Sequence, residues 1–267
     1  ALMTRAQTRL DHPCNNTWRA RRVAFAIVAV RHLEAANPLT WLRRLAAHMV
    51  MAVPLRLHVM ELTVQTFLTL DGVMQAPGGP EEDPSDAFAH GGWQAPFPDP
   101  AIGEFVTELN RHASAFVFGR RTFDIFRGYW PDQTDPANPI ATAINSLPKY
   151  VVSNSLSEAE VTWRGEHPDT ARLVAGDVIA AVQALKDQPG DELQIWGSGQ
   201  LLQTLLRHEL VDRFRLMTFP LVLGSGRRLF NAGITPTTLR PVDLVVTDLG
   251  AILATYEPAG PVLVGEM

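Results

Sequence analysis

The chain has 267 residues, of which 46% are hydrophobic and 19% charged, with a formal net charge of −5. That is ordinary for a soluble globular protein and long enough for one large domain or two small ones. A single cysteine, Cys14, excludes an internal disulfide framework and a cysteine-rich zinc site, and no two of the eight histidines stand in an HxxxH or HExxH pair, so a metal centre has no local support. The charge is uneven: residues 1–59 hold nine Arg, no Lys and only Asp11 and Glu34 as acids, giving +7, so the remainder carries −12. An acidic body argues against a surface that tracks nucleic-acid phosphates.

Residues 1–59 form an Arg-rich N-terminal extension. Their apolar run Val23–Val30 lies between Arg22 and Arg31 and is far short of the roughly 20 residues that span a bilayer. Arg21 and Arg22 with this run resemble a signal peptide, but no small-residue cleavage site follows; a transit peptide is a second reading. The plainest reading is an extension outside the fold, with the functional start at Met60. Leu39, Leu42, Leu45, Ala46 and Met49 share a helical face, which predicts a helix over 38–50.

From Met60 the pattern changes. Glu61–Leu70 (ELTVQTFLTL) reads as a strand that stops at the turn signal Asp71-Gly72. The stretch 75–100 is dense in Gly, Pro and acids and is too long for an idle connector; it reads either as a functional lid or as a disordered insertion. Ile102, Phe105, Val106 and Leu109 place a helix over 101–111, followed by an apolar strand over 114–118 and a short helix from Gly119 to about Phe126. A strand over 150–152 ends at Ser153-Asn154. Asp177 is placed to cap a helix through about Asp187, and a strand over 193–196 leads through Gly197-Ser198-Gly199 into a helix carrying Leu201, Leu202, Leu205 and Leu206. Strands over 213–219, 242–249 and 252–257 follow, the last two joined tightly at Gly250 and so antiparallel. Alternating β and α units with a β-rich end predict a mixed, mainly parallel sheet with helices on both faces.

Two strand-to-helix junctions, 118–122 and 196–200, put glycine where backbone N–H groups open a helix, an arrangement that attracts anions. Arg120 and Arg121 read either as a bidentate phosphate grip or as two solvated arginines. Thr122 reads either as a helix cap or as a donor to phosphate. Gly197-Ser198-Gly199-Gln200-Leu201-Leu202 lacks the third glycine of the dinucleotide fingerprint and has no acid at the required distance, so a Rossmann site is excluded. No Gly-Lys-Ser/Thr and no GxSxG is present, which removes P-loop and serine-hydrolase readings. Gly224-Ser225-Gly226-Arg227-Arg228 reads either as a phosphate-loop mimic or, because it follows Pro220 between strands, more readily as a β-bulge or hairpin.

The stretches LTLDG (68–72), FGRRTF (118–123), YVVSNSL (150–156), IWGSGQLLQTLL (195–206), LVDRFRL (210–216) and PLVLGSGRRLF (220–230), in this order, resemble the dihydrofolate-reductase-like family that includes the RibD C-terminal reductase domain of riboflavin biosynthesis. The resemblance covers 60–258, leaving 259–267 as a C-terminal tail. It implies a three-layer α/β/α fold whose mainly parallel sheet ends in antiparallel strands, and an NADPH-dependent reductase. On this resemblance Gly119, Arg120, Arg121, Thr122, Ser153, Asn154, Gly197, Ser198, Gly199, Gln200 and Leu201 hold NADPH, while Asp71, Gly72 and Trp130 border the substrate. Trp130 reads equally as a loop anchor. Glu104 and Asp71 are the candidate acids, with Asp99 behind Glu104; Glu104 and Asp99 read more readily as solvated acids at a helix start. The extension is too short, and too poor in cysteine, for the deaminase domain that accompanies the riboflavin enzyme. The resemblance further implies a cytoplasmic homodimer that acts on a small-molecule heterocycle, ribityl-pyrimidine or pterin, with no metal, nucleic acid or membrane. Dihydrofolate reduction and a non-catalytic nucleotide-binding role are the alternatives.

Overall fold

The computed structural model describes residues 59–165 and 167–265. The extension (apart from Val59) and the helix expected over 38–50 lie outside the described residues. Eight strands form one sheet: β1 (Glu61–Thr69), β2 (Ala113–Gly119), β3 (Lys149–Val152), β4 (Ala171–Val174), β5 (Glu192–Trp196), β6 (Arg213–Phe219), β7 (Thr237–Val246) and β8 (Ile252–Pro261). Among the described residues, five α-helices connect them: α1 (Pro100–Arg111), α2 (Arg120–Tyr129), α3 (Pro139–Ser146), α4 (Val178–Lys186) and α5 (Gly199–Arg207). The spatial order is β4-β3-β2-β5-β1-β6-β8-β7. The first six strands run parallel, and β8 pairs antiparallel with both β6 and β7.

The period of two along each strand splits the side chains between two cores. On one face, Leu62 and Val64 of β1, Val117 of β2, Ile195 of β5 and Leu216 of β6 meet Val182 and Leu185 of α4 and the apolar stripe of α5. On the other, Phe116, Phe118, Trp196, Met217 and Phe219 meet Ile102 and Val106 of α1, Phe123 of α2 and Ile144 of α3. This is the three-layer α/β/α arrangement expected from the sequence. Parallel strands buried on both faces read as near-continuous apolar runs, which is why ASAFVF shows no alternation.

Two elements escaped the sequence reading. Helix α3 is only eight residues long, but Asn138 accepts from the N–H groups of Ile140 and Ala141 and Pro139 opens the first turn. Strand β4 is a four-residue edge strand with no fully buried residue, so it carries no periodic signal. Strand β7 begins at Thr237 rather than Val242, because Pro241 sits beside a register shift where a ladder N–H is not required. It ends at Val246, and Thr247–Gly250 form the turn into β8, closed by Gly250 N–H on Thr247 O at 2.9 Å. Strand β8 itself runs past the expected domain end to Pro261.

The 75–100 segment is tied down along its length. Trp93 Nε1 donates to Gln75 O at 2.7 Å, and Gln75 Nε2 donates to the carbonyls of Asp83 (3.1 Å) and Ser85 (3.0 Å). Trp93 and Phe97 both pack edge-on against Phe219 of β6, with centroids at 5.6 and 5.4 Å. These aromatic contacts anchor the segment to the sheet beside the strand ends.

Lys149 at the start of β3 is fully buried. Its Nζ donates to Asn145 O (3.0 Å), Leu147 O (2.8 Å) and Thr170 Oγ1 (3.0 Å), and lies 4.4 Å from the Trp163 ring centroid. Burial pushes its amine down to about 7. Between about pH 7 and the unperturbed value of 10.5 the unfolded chain binds the proton that the folded chain has lost. Stability of the wild type relative to Lys149→Met is therefore expected to rise as pH increases from 7 to 10, as read by urea midpoints at each pH; a difference that falls over this range contradicts the assignment.

Candidate functional site

A cleft of about 580 Å³ opens at the C-terminal ends of the parallel strands. Its position follows from topology. After β2 the chain turns toward β3 and β4, whereas after β5 it turns the other way toward β6, and β2 and β5 are neighbours. Their following helices also lie on opposite faces, α2 with the aromatic core and α5 with the aliphatic one. A crevice at such a switch point is the usual ligand site of an open α/β sheet.

The two glycine junctions meet here and are bonded to each other. Ser198 N–H donates to Thr122 Oγ1 at 2.9 Å, and Gly119 N–H donates to Ser198 Oγ at 3.0 Å. Ser198 Oγ in turn donates to Trp196 O at 2.9 Å. Thr122 therefore does not cap α2, whose N-cap is Gly119 without a side-chain bond. Gly197 and Ser198 both adopt left-handed backbone, each with φ 53°. A Cβ on Gly197 would meet Thr122 Oγ1 at 3.2 Å, so glycine permits the close approach of the two junctions. Leu202 N–H is the first in α5 to bond back, to Ser198 O at 2.9 Å. The N–H groups of Gly199, Gln200 and Leu201 have no carbonyl beneath them in the helix and are left for an anion.

The structure brings all eleven residues expected at the cofactor into the lining of this one cleft. Their tasks differ. Arg120 is bound to Asp124 at 2.6 Å and reaches Ser155 Oγ at 3.4 Å. Ser153 accepts from the N–H groups of Ser155 (3.2 Å) and Leu156 (3.1 Å), so its hydroxyl shapes the turn after β3, while Asn154 stays exposed. The donor set fits a dinucleotide: three free N–H groups at a helix start, with the guanidiniums of Arg120 and Arg121 at the next one.

The residues expected at the substrate lie elsewhere. Asp71, Gly72, Glu104 and Trp130 are absent from the cleft lining. Asp71 accepts from Thr69 Oγ1 (2.6 Å), Leu223 N–H (3.2 Å), Gly224 N–H (2.9 Å) and Arg228 Nη2 (3.1 Å). The Thr69 hydroxyl and then these backbone and arginine donors hold its carboxyl far below the usual range, against the effect of burial, so it is a poor acid. Glu104 is exposed on α1. Asp99 caps α1 through Ala101 N–H at 3.0 Å and accepts from Leu249 N–H at 3.3 Å. Trp130 anchors a loop: its carbonyl accepts from Asn145 Nδ2 at 2.9 Å and its ring packs on Phe126 and Tyr129.

Other groups also enter the lining: Gln65, Glu82 and Asp83, which no motif announces, and Trp196 and Arg227, which belong to the 195–206 and 220–230 stretches but are not among the expected site residues. Both polar atoms of Gln65 and the Nε1 of Trp196 are buried without a protein partner among the described residues. Glu82 accepts from Gly78 and Gly79 N–H, yet burial dominates and pushes its carboxyl up. A polar residue inside an apolar strand (Gln65 in ELTVQTFLT) was the available signal for one of them. Trp196 ends β5 and Arg227 lies in the loop after β6, whereas Glu82 and Asp83 arrive from the 75–100 segment, which has no periodicity.

Comparison with known proteins agrees with this architecture. The RibD C-terminal domain model matches residues 60–253, and the chain belongs to that family. The uncharacterized protein YyaP of Bacillus subtilis (strain 168) is 28% identical over 165 residues, covering 61% of this chain and 76% of YyaP. Among solved structures, a putative riboflavin biosynthesis protein from Shewanella sp. PV-4 superposes with TM-score 0.53 at 22% identity, over 75% of this chain and 99% of that one. A pyrimidine reductase-like protein from Corynebacterium diphtheriae gives 0.52 at 15% identity, over 78% and 96%. These structures share the fold.

Thr122→Val keeps the shape of the side chain but removes the acceptor for Ser198 N–H. Orphaning a buried N–H costs about 1–3 kcal/mol, so a lower Tm is expected together with weaker anion binding at α5, read by thermal unfolding with and without pyrophosphate. Asp71→Asn is expected to lower Tm while leaving that binding unchanged, because Asp71 serves the 223–224 turn and not the cleft.

Proposed function

We propose that the protein is an NADPH-dependent reductase that transfers hydride to an electrophilic C=N or C=O carbon of a small heterocycle, of the ribityl-pyrimidine or pterin kind. The observation that carries this reading is the pair of helix N-termini, stitched through Thr122 and Ser198, that open into one cleft beside Arg120 and Arg121. Membership of the RibD C-terminal family supports it. The names of two structures of the same fold, a putative riboflavin biosynthesis protein and a pyrimidine reductase-like protein, point the same way.

NADPH, when bound, supplies the hydride. The chain supplies position and charge. Gly199, Gln200 and Leu201 N–H groups take the pyrophosphate at the positive end of α5. Arg120 and Arg121 take phosphate oxygens at the start of α2, and Asn154 is placed at the end of β3 for the adenosine side. Phe67 and Trp196, with centroids 6.4 Å apart, give the floor of the cleft an apolar surface for a planar ring. Glu82 is the carboxyl in the lining whose pKa burial raises, so it is the acid best suited to carry a proton there.

The same reading includes a homodimer in the cytoplasm. Strand β7 is the sheet edge and exposes Val242, Leu244, Val245 and Val246, an apolar edge that a second copy would cover. Light scattering is expected to report a dimer for the wild type and a shift toward monomer for Leu244→Asp.

The deciding experiment is a fluorescence titration with NADPH and, separately, NADH. Tight binding with a preference for NADPH is expected, and Arg120→Ala is expected to weaken NADPH by roughly tenfold or more, the size of one charge-assisted phosphate contact. Binding of neither cofactor ends the reductase reading. Glu82→Gln is expected to lower kcat and to flatten its fall at high pH.

A further inference from the structure

Asp83 occupies an unusual place in the cleft. Its carboxylate is only 10% exposed and lies between two guanidiniums from distant parts of the chain. Arg121, from the start of α2, is 3.6 Å away. Arg227, from the loop after β6, is in direct contact with it. All three residues line the cleft. The Arg227 guanidinium also binds Ser85 Oγ at 2.7 Å and Asp86 at 2.8 Å. Its backbone N–H donates to Gln75 Oε1 at 3.0 Å. Gly226 beside it is glycine by necessity: φ is 115°, and a Cβ there would stand 2.7 Å from both Phe88 and Val73. The loop after β6 is thus pressed against the 75–100 segment, and Arg227 is presented to the cleft.

Two arginines that converge from separate elements on one carboxylate define an anion site in shape and charge. Burial of the Arg227 guanidinium, which lowers its pKa, increases its demand for a counter-charge. The present occupant is a side chain of the loop that covers the cleft. A phosphate carries more charge than a carboxylate and three acceptor oxygens, so it competes well for the same donors. We propose that the space between Arg121 and Arg227 is a phosphate site of the cleft, that Asp83 is its intramolecular occupant, and that a phosphate-bearing ligand displaces Asp83 and releases the 82–88 segment. The segment then acts as a competitor that leaves when ligand arrives, and ligand entry is coupled to movement of the cover.

The phosphate arises from the cofactor or from the substrate, and the test separates the two. NADPH, NADH and inorganic pyrophosphate are titrated against the wild type, Asp83→Asn and Arg227→Ala. An occupant that fills its site nine-tenths of the time weakens apparent affinity about tenfold. Asp83→Asn is therefore expected to tighten at least one probe by roughly that factor, and Arg227→Ala to weaken the same probe below the wild type. A gain for NADPH without one for NADH assigns the site to the extra phosphate of the cofactor. A gain for pyrophosphate with none for either dinucleotide assigns it to a phosphorylated substrate. Unchanged or weaker binding of all three probes to Asp83→Asn overturns the proposal, because Asp83 would then only brace the loop.

Hydrogen exchange on the unaltered protein gives an independent reading should the variant fold poorly. Exchange across 82–88 is expected to speed up on adding saturating pyrophosphate, and unchanged or slower exchange overturns the displacement. The dinucleotide arms rest on the cofactor reading given above, whereas the pyrophosphate arm does not. Loss of both dinucleotides with a retained pyrophosphate gain would sink that reading and leave the anion site standing.

Discussion

The bond from Ser198 N–H to Thr122 Oγ1, with its return from Gly119 N–H to Ser198 Oγ, is the constraint on which the site depends. Strands β2 and β5 are adjacent, but their helices leave toward opposite faces of the sheet. Without a cross-link the two helix starts would be held only by their own strands. The reciprocal bonds fix them side by side, and the left-handed backbone at Gly197 and Ser198 lets the chain turn sharply enough to reach Thr122. Two partial positive charges then face one crevice, which is a stronger anion receptor than either alone. The bond has a cost in donors: Gly119 and Ser198 N–H groups hold the frame, so the donors left open at the start of α5 are those of its first three residues.

A second network holds the other wall. Asp71 at the end of β1 ties down the 223–224 turn and Arg228, while Arg227, one residue earlier, points into the cleft and holds Asp83. Neighbouring arginines thus face different ways, Arg228 toward Asp71 and Arg227 toward the cleft. The frame on the α2 and α5 side is built of bonds from backbone N–H groups to the Thr122 and Ser198 hydroxyls and of buried side chains. The wall formed by 75–100 is held by hydrogen bonds around Gln75 and Trp93, by aromatic packing on Phe219, and by the ion pairs of Asp83 and Asp86 with arginines.

Much of the site was legible because its signal is local. Gly119-Arg120-Arg121-Thr122 and Gly197-Ser198-Gly199 each lie at a strand end before an amphipathic helix, and glycine at such a point has a direct conformational meaning. Where sequence reading departed from the structure, the reason is also physical. The family resemblance puts Asp71 and Gly72 beside the substrate; in the structure the Asp71 oxygens turn to a loop about 150 residues away in sequence, a contact that no spacing shows. Glu104 stands on the solvent side of α1, which the helix stripe already foretold. Helix α3 and strand β4 were too short, and β7 too interrupted by Pro241, for periodicity to appear.

The sequence by itself determined the order of the longer elements (though not α3 and β4), the parallel sheet with its antiparallel end and the two glycine junctions, because these follow from apolar period and backbone freedom over a few residues. Only the tertiary structure decided which junction atoms remain free, which of the acids enter the cleft, and that Asp83, Arg121 and Arg227 share one place. Those outcomes depend on contacts between segments far apart in the chain, where the strength of an interaction is set by distance and burial rather than by neighbours in sequence.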